Sequence, residues 1–265
     1  MDFSGTMDAV IGTAEIFGVT MPENFKRPFF SRTISEFWKR WHVTLGAWLK
    51  DYIFYPVTMS KPMKNLTSSA RKKLGNHFGP LLAGSIALFC VWIINGLWHG
   101  SAWNFIFFGM YHFVLILLGN ICEPLVRAIN TKLRINPESK PYKAMQIIRT
   151  CILVCIGEMF FRANGLRGGF SMLKRLFTSF GFKASGALIS DLGFDTGDLI
   201  ITVATLLIVL GVSIANEKGI SVREKLAGTK PVVRWAVLYA LIMFIVIFGA
   251  YGIGYVPVDP IYANF

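Results

Sequence analysis

Residues 81–103 and 104–121 form two consecutive apolar runs, each long enough to cross a membrane core of roughly 30 Å as a helix. The join between them holds His99, within Ile93-Ile94-Asn95-Gly96-Leu97-Trp98-His99-Gly100-Ser101-Ala102-Trp103-Asn104. A titratable side chain at membrane depth costs on the order of a few kcal/mol if charged, which makes His99 the first functional candidate. Asn95 lies one helical turn earlier and shares its face. Gly96 and Gly100 leave room for close approach of backbone or substrate.

The composition places the whole chain in the membrane class. Of the 265 residues, 54% are hydrophobic and 16% are charged, whereas a soluble domain carries roughly 25% charged residues. The net charge is +12, and the basic residues fall in predicted loops at 60–80, 122–145 and 216–231. That distribution favours cytoplasmic loops and lipid headgroup contacts over nucleic-acid binding. We expect a multi-pass protein of the cell membrane, with the lipid bilayer as its environment.

Further apolar segments extend this pattern along the chain. Residues 146–161, 198–215 and 232–250 are predicted spans, residues 7–19 are too short to cross alone, and residues 165–197 indicate an amphipathic surface helix. The fold class is therefore all-α, a polytopic transmembrane helical bundle with re-entrant or interfacial helices.

A second histidine lies in a tryptophan-rich segment. Residues 38–52 have helical periodicity, with Trp38, Trp41, Trp48 and Tyr52 on one face and basic residues on the other. Such a helix is typical of a membrane interface, and Ser35 is the predicted cap. His42 lies at the edge of the tryptophan face. It is either a hydrogen-bonding residue at headgroup level or a second functional histidine.

The histidines, and the motifs that the sequence lacks, limit the types of reaction that the chain could catalyse. A neutral imidazole beside a bound hydroxyl is a general base, and the chain has neither a GxSxG nor an HExxH motif. Transfer between two bound substrates, with His99 activating the acceptor, fits best. His112 is the rival, although it is more readily interpreted as a packed histidine bonded to a carbonyl.

The four cysteines lack zinc-ligand spacing and are expected to be small buried hydrophobes, so we expect no metal and no bound cofactor.

Several segments resemble one family. Residues 36–42 (EFWKRWH), 44–52 (TLGAWLKDY) and 96–100 (GLWHG) look like the signature of the membrane-bound O-acyltransferases (MBOAT). The branch is the bacterial one of alginate O-acetylation and teichoic acid D-alanyl transfer proteins. Residues 2–5 (DFSG), 160–163 (FFRA) and 251–265 are similar to that branch too. The resemblance implies that residues 1–265 are the C-terminal portion of a single membrane domain.

The resemblance also implies roles. It makes His99 the catalytic histidine and His42 the second active-site histidine. The substrate-binding candidates are Asn95, Trp98, Trp41 and Asp51. The acyl group, acetyl or D-alanyl, would come from a cytoplasmic donor such as acetyl-CoA or an acyl-carrier protein thioester. It would pass to a hydroxyl of a cell-envelope polysaccharide, a teichoic acid or an extracytoplasmic transferase partner.

Two other interpretations remain open. The first is a non-catalytic membrane component that passes an acyl group on or scaffolds an envelope-modification complex. The second is a transporter that uses His99 and Glu158 as a proton relay, which predicts proton-coupled flux without an acyl donor.

Overall fold

The regular secondary structure of the protein is helical throughout the described residues. A computed structural model describes residues 2–179 and 195–249, which form helices joined by turns and by a largely irregular segment at residues 17–33. Within these ranges there is no β-strand, only one isolated antiparallel bridge between Phe25 and Trp41. The described residues form two compact units, residues 7–179 and residues 2–6 with 195–249. The predicted all-α class is confirmed.

Five of the described helices are long and apolar enough to cross a membrane: Lys61–His99, Trp103–Lys132, Lys140–Arg162, Thr196–Glu217 and Pro231–Phe248. The protein is therefore a multi-pass membrane protein, as predicted. In chain order the helices are α1 (Asp2–Ile16), α2 (Ile34–Arg40), α3 (Val43–Leu49), α4 (Tyr55–Met59), α5 (Lys61–His99), α6 (Trp103–Lys132), α7 (Lys140–Arg162), α8 (Gly165–Thr178), α9 (Thr196–Glu217), α10 (Val222–Ala227) and α11 (Pro231–Phe248), with a 3-10 turn at Pro28–Phe30 and a π-helical turn at Lys50–Phe54.

The predicted basic loops are mostly helical, so that part of the sequence interpretation is wrong. Gly75 has a φ of 80°, and this left-handed residue breaks α5 into a basic helix and the apolar span. A Cβ on Gly79 would lie 2.4 Å from Cα of Arg71, so the two pieces pack closely. Residues 133–139 are the non-helical part of the second loop. Charge marks where the chain leaves the lipid, but Lys and Arg are also good helix formers.

Two smaller predictions are corrected in part. The amphipathic helix is α8, which ends at Thr178, and residues 180–194 of the predicted segment lie outside the described residues. The cysteines are free, with Cys90 and Cys151 half-buried but Cys122 and Cys155 exposed. The exposed pair lies on α6 and α7, so the expectation of burial is wrong for these two.

The short helix α2 packs against three spans. Its Ile34 and Phe37 form a buried cluster with Trp92 of α5, Ile116 of α6 and Val154 of α7. The cap of α2 is Thr33 rather than the predicted Ser35, because the Thr33 hydroxyl accepts the Glu36 N–H at 3.0 Å. The helix ends at Arg40, so the predicted continuous helix over 38–52 is broken at Trp41 and His42. This break places His42 beside the spans.

The unit formed by residues 2–6 and 195–249 contributes two spans. Helix α9 begins with a capping box, in which the side chains of Asp195 and Asp198 each accept a backbone N–H of the other. No residue of α9 or α11 is buried. Lipid can solvate such apolar helix surfaces, whereas water cannot do so at low cost.

Candidate active site

The break before α3 holds His42 in an unusual backbone conformation. His42 has φ 46° and ψ 57°, a left-handed geometry that costs a residue with a Cβ roughly 1–2 kcal/mol. Main-chain hydrogen bonds on both sides of His42 hold this conformation. The Lys26 N–H donates to the Arg40 carbonyl at 2.8 Å, and the Val43 N–H donates to the Asn24 carbonyl at 3.0 Å. The segment around Asn24 therefore pins the turn that presents His42.

Asn24 is a site residue that the sequence did not identify. Its side chain is 5% exposed. Its Oδ1 accepts the backbone N–H of Thr44 at 3.1 Å and the Thr44 hydroxyl at 2.6 Å, and it lies 3.3 Å from Nδ1 of His42. An asparagine in a turn-rich segment carries no local signal of this role, since its partners lie about twenty residues further along the chain.

His99 lies at the C-terminal end of α5 in an aromatic cage. Its ring centroid is 4.7 Å from that of Trp98 and 4.8 Å from that of Phe161, both edge-on, and 5.9 Å from Phe108. Trp98 also meets the ring of His42, at 5.8 Å. The indole thus lies between the two imidazoles. The fold brings the two predicted histidines together.

A close crossing of α5 and α6 sets the position of His99. A Cβ on Gly96 would lie 2.7 Å from the Phe105 carbonyl oxygen, and a Cβ on Gly109 would lie 2.3 Å from that of Trp92. The close approach of backbone expected at Gly96 is therefore confirmed. Gly100 has φ 143°, and a side chain there would strike the Phe105 ring at 2.9 Å. The glycines allow the sharp turn that leaves His99 at the join.

The end of α7 is fastened to this turn by Asn104. Asn104 is 4% exposed, and its Nδ2 donates to the carbonyls of Phe161 at 3.3 Å and Ala163 at 3.4 Å. The bond to Phe161 satisfies a carbonyl at the helix end, and the bond to Ala163 adds to the one from the Gly165 N–H at 2.8 Å. Together they hold Phe161 against His99. Asn104 belongs to the stretch singled out by the sequence, but only the packing of α7 reveals what it binds.

The other predicted site residues differ in placement. Asn95 is buried one turn before His99, and its Oδ1 has no hydrogen-bond partner within the described part of the chain. The Trp41 ring stacks on Phe37 at 5.5 Å and also meets the rings of Phe25 and Phe29. Asp51 is exposed in the π-helical turn Lys50–Phe54. The structure thus brings the rings of His42, Trp98 and His99 together, with Asn95 one turn before His99. Among the described residues, Trp41 and Asp51 are not part of this ring contact.

His112 is packed, as the more conservative interpretation predicted. It is fully buried between Trp38 and Trp92, and its Nδ1 accepts the Trp38 indole N–H at 3.2 Å. The partner is therefore an indole and not the expected carbonyl.

Glu158 lies near Arg162, one turn later in α7. No described contact connects its carboxylate to His99, which the relay interpretation would use.

Burial determines the charge of His42 near neutral pH. Loss of hydration disfavours the imidazolium and lowers the pKa of His42 to about 4. The ring is therefore neutral at pH 7 and able to accept a proton.

Across residues 2–179 and 195–249, no three His, Cys, Asp or Glu side chains converge as a metal-binding group.

Comparison with known proteins finds one matching family. Residues 1–71 match the model of MBOAT, the membrane-bound O-acyltransferase family. This segment carries the sequence pattern of that family. The matched segment includes Asn24, the turn at His42 and helices α1 to α4.

The similar curated proteins are named as O-acetylases, O-acetyltransferases or D-alanyltransferases. The chain is 32% identical over 180 residues to the probable alginate O-acetylase AlgI of Azotobacter vinelandii, covering 68% of this chain and 30% of that protein. It is 32% identical over 164 residues to the teichoic acid D-alanyltransferase of Bacillus subtilis, covering 60% and 37%. It is 28% identical over 173 residues to the peptidoglycan O-acetyltransferase of Helicobacter pylori, covering 65% and 28%. The chain spans about a third of the length of these relatives.

Proposed function

We propose that the protein takes part in membrane O-acyl transfer, with His99 as the general base. The observation that carries the proposal is the convergence of His99 and His42 on the indole of Trp98, within a unit made of membrane spans. The family match and the acyltransferase names of its relatives support the reaction class.

The reaction needs a hydroxyl nucleophile, an activated acyl group and a proton acceptor. The acceptor oxygen bonds to the carbonyl carbon of the thioester, and the carbon–sulfur bond breaks. The hydroxyl proton moves to His99 and then to the departing thiolate. Such a base accelerates a reaction by roughly 10²–10⁴-fold.

The neighbouring residues have supporting roles in this proposal. Trp98, Phe161 and Phe108 surround the His99 ring, where they exclude water and strengthen electrostatic interactions. His42 positions the acceptor or completes the proton path, and the buried amide oxygen of Asn95 is a hydrogen-bond acceptor for a substrate. Trp41 supports the site by packing, and Asp51 would meet substrate at the exposed surface.

The proposed donor and acceptor follow from the relatives. AlgI is named for alginate O-acetylation and the Bacillus subtilis protein for D-alanyl transfer to teichoic acid. We therefore propose an acetyl or D-alanyl thioester, carried by coenzyme A or a carrier protein on the cytoplasmic side, as co-substrate. The acceptor is a hydroxyl of an envelope polymer or of an extracytoplasmic transferase partner.

The test compares matched histidine substitutions in membranes that contain the protein. Labelled acetyl-CoA and labelled D-alanyl carrier protein are supplied in parallel, and label is measured in envelope polymers. We expect His99→Gln to lower transfer by at least about 10²-fold. His77→Gln is the control, because His77 is an exposed residue of the same helix α5.

Three results would decide against the proposal. Equal loss in His99→Gln and His77→Gln would indicate damage to α5 rather than loss of a base. Wild-type transfer by His99→Gln would exclude His99 as the base. If the unaltered protein transferred no label from either donor but remained bound to a transferring complex, the non-catalytic interpretation would replace this one.

A further inference from the structure

We infer that Asn24 is a positioning residue that fixes the tautomer of His42, with the proton on Nδ1 and the lone pair on Nε2. Neither the family match nor the relatives' names assign a role to Asn24. The tautomer follows from the local geometry alone. Its consequence for proton transfer rests on the proposed function.

The backbone of Thr44 determines which way the Asn24 amide faces. An asparagine side chain presents a carbonyl oxygen and an NH₂ group that are nearly indistinguishable by shape, so their assignment depends on hydrogen-bond partners. A backbone N–H can only donate. Since the Thr44 N–H points at this atom from 3.1 Å, the atom must be the oxygen, and an NH₂ group there would face another donor.

The Asn24 oxygen in turn determines the proton on His42. It lies 3.3 Å from Nδ1 of His42, and an amide oxygen has no proton to give. A hydrogen bond forms only if Nδ1 carries the proton. The other neutral tautomer would bring two lone pairs together at a buried site, where unfavourable electrostatics are poorly screened.

The strained turn is what allows one asparagine to bind three consecutive residues. The left-handed conformation of His42 directs its own ring, the Val43 N–H and the Thr44 N–H toward Asn24. Val43 binds the Asn24 backbone carbonyl at 3.0 Å, so the asparagine is itself held in place. The orientation of the amide is therefore built into the main chain.

This arrangement limits His42 to one basic nitrogen. In a neutral imidazole the hydrogen bond made by one nitrogen sets the protonation of the other. With Nδ1–H bound to Asn24, a proton can be accepted only at Nε2. Burial keeps the ring neutral by lowering the pKa of His42 to about 4, so this tautomer is the species present at pH 7.

The tautomer can be read directly by nitrogen-15 NMR. The whole protein, labelled at its four histidines, is studied in lipid nanodiscs without donor or acceptor, and His42→Gln assigns the His42 signals. We expect a protonated Nδ1 and an unprotonated Nε2 at pH 7. Asn24→Asp keeps an acceptor oxygen and should keep the proton on Nδ1, whereas Asn24→Leu should shift the population toward protonated Nε2.

Thr44→Val is the matched control. It removes the Thr44 hydroxyl but keeps the backbone N–H that orients the amide, so the His42 tautomer should not change. A merely structural role for Asn24 would alter folding without exchanging the protonated nitrogen. If Asn24→Leu does not fold, the unaltered protein and Asn24→Asp still decide the question.

An unprotonated Nδ1 in the unaltered protein or in Asn24→Asp would overturn the inference, and so would an unchanged tautomer in folded Asn24→Leu. Because no acyl transfer is measured, the outcome is separate from that of the proposed function. The expected tautomer with no transfer activity would leave the inference standing and remove the proposed function.

Discussion

The crossing of α5 and α6 should tolerate no side chain at its two central glycines. A methyl group on Gly109 would lie 2.3 Å from the Trp92 carbonyl oxygen, and one on Gly96 would lie 2.7 Å from that of Phe105. Ordinary contact begins at 3.4 Å. Each substitution by alanine must therefore push the two backbones apart by roughly 1 Å, an overpacking that costs about 1–3 kcal/mol.

The same two helices contain the matched controls. A Cβ on Gly84 of α5 or on Gly119 of α6 would meet nothing within 4 Å. Alanine there relieves only the entropic cost of glycine in a helix, a gain of roughly 0.5–1 kcal/mol. We therefore expect opposite signs for chemically identical changes, with Gly96→Ala and Gly109→Ala destabilising and Gly84→Ala and Gly119→Ala neutral or stabilising.

Thermal unfolding in one detergent, followed by tryptophan fluorescence, measures this difference. A change of 1 kcal/mol shifts the Tm of a chain of this size by roughly 2–4 °C, so the central alanines should lower it by about 2–12 °C. Gly96→Ala should also lower acyl transfer, since misplacing a reacting group by about 1 Å can cost 10²-fold in rate. Equal Tm values for all four variants would show that the two helices do not meet at these glycines.

Three further predictions follow from single contacts. Asn104→Leu should lower the free energy of unfolding by about 1–3 kcal/mol, because the Phe161 carbonyl at the end of α7 loses its side-chain donor and the Ala163 carbonyl keeps only the Gly165 N–H; an unchanged Tm would contradict this. Trp38→Phe leaves the buried Nδ1 of His112 without its donor and should cost about 1–3 kcal/mol, whereas Trp48→Phe, at an exposed site, should not lower the Tm. Burial holds the pKa of His42 at about 4 in the folded protein against 6.5 in the unfolded chain. Because the unfolded chain binds more protons between these two values, stability should fall as the pH drops from 6.5 to 4. A Tm–pH profile of His42→Gln identical to that of the unaltered protein would refute this.

Part of the candidate site could be predicted from local sequence. His99 stood out because a titratable residue between two apolar runs is costly to bury, which makes it a functional candidate. The structure places it at the join. Gly96 followed from the need for close approach at the same place. Asn24 and Asn104 could not be found in this way, since each binds backbone groups that are distant in the chain.

The predicted helix over 38–52 shows where periodicity fails. Tryptophans at helical spacing continue on both sides of Trp41, but hydrogen bonds from the segment around Asn24 stop the helix and place His42 in a left-handed conformation. The predicted loops failed for a related reason. Charge reports the depth of a residue in the membrane and not the conformation of its backbone.

The sequence by itself determined that this chain enters a membrane and does so as helices, because long apolar runs leave the backbone no other way to satisfy its hydrogen bonds in lipid. It also identified the two histidines, since titratable groups are rare and costly in such surroundings. Only the tertiary structure decided that the two rings meet on one indole, which turn strains His42, and which asparagines hold the site. Those features depend on contacts between helices, and spacing along one helix cannot specify what a distant segment will place beside it.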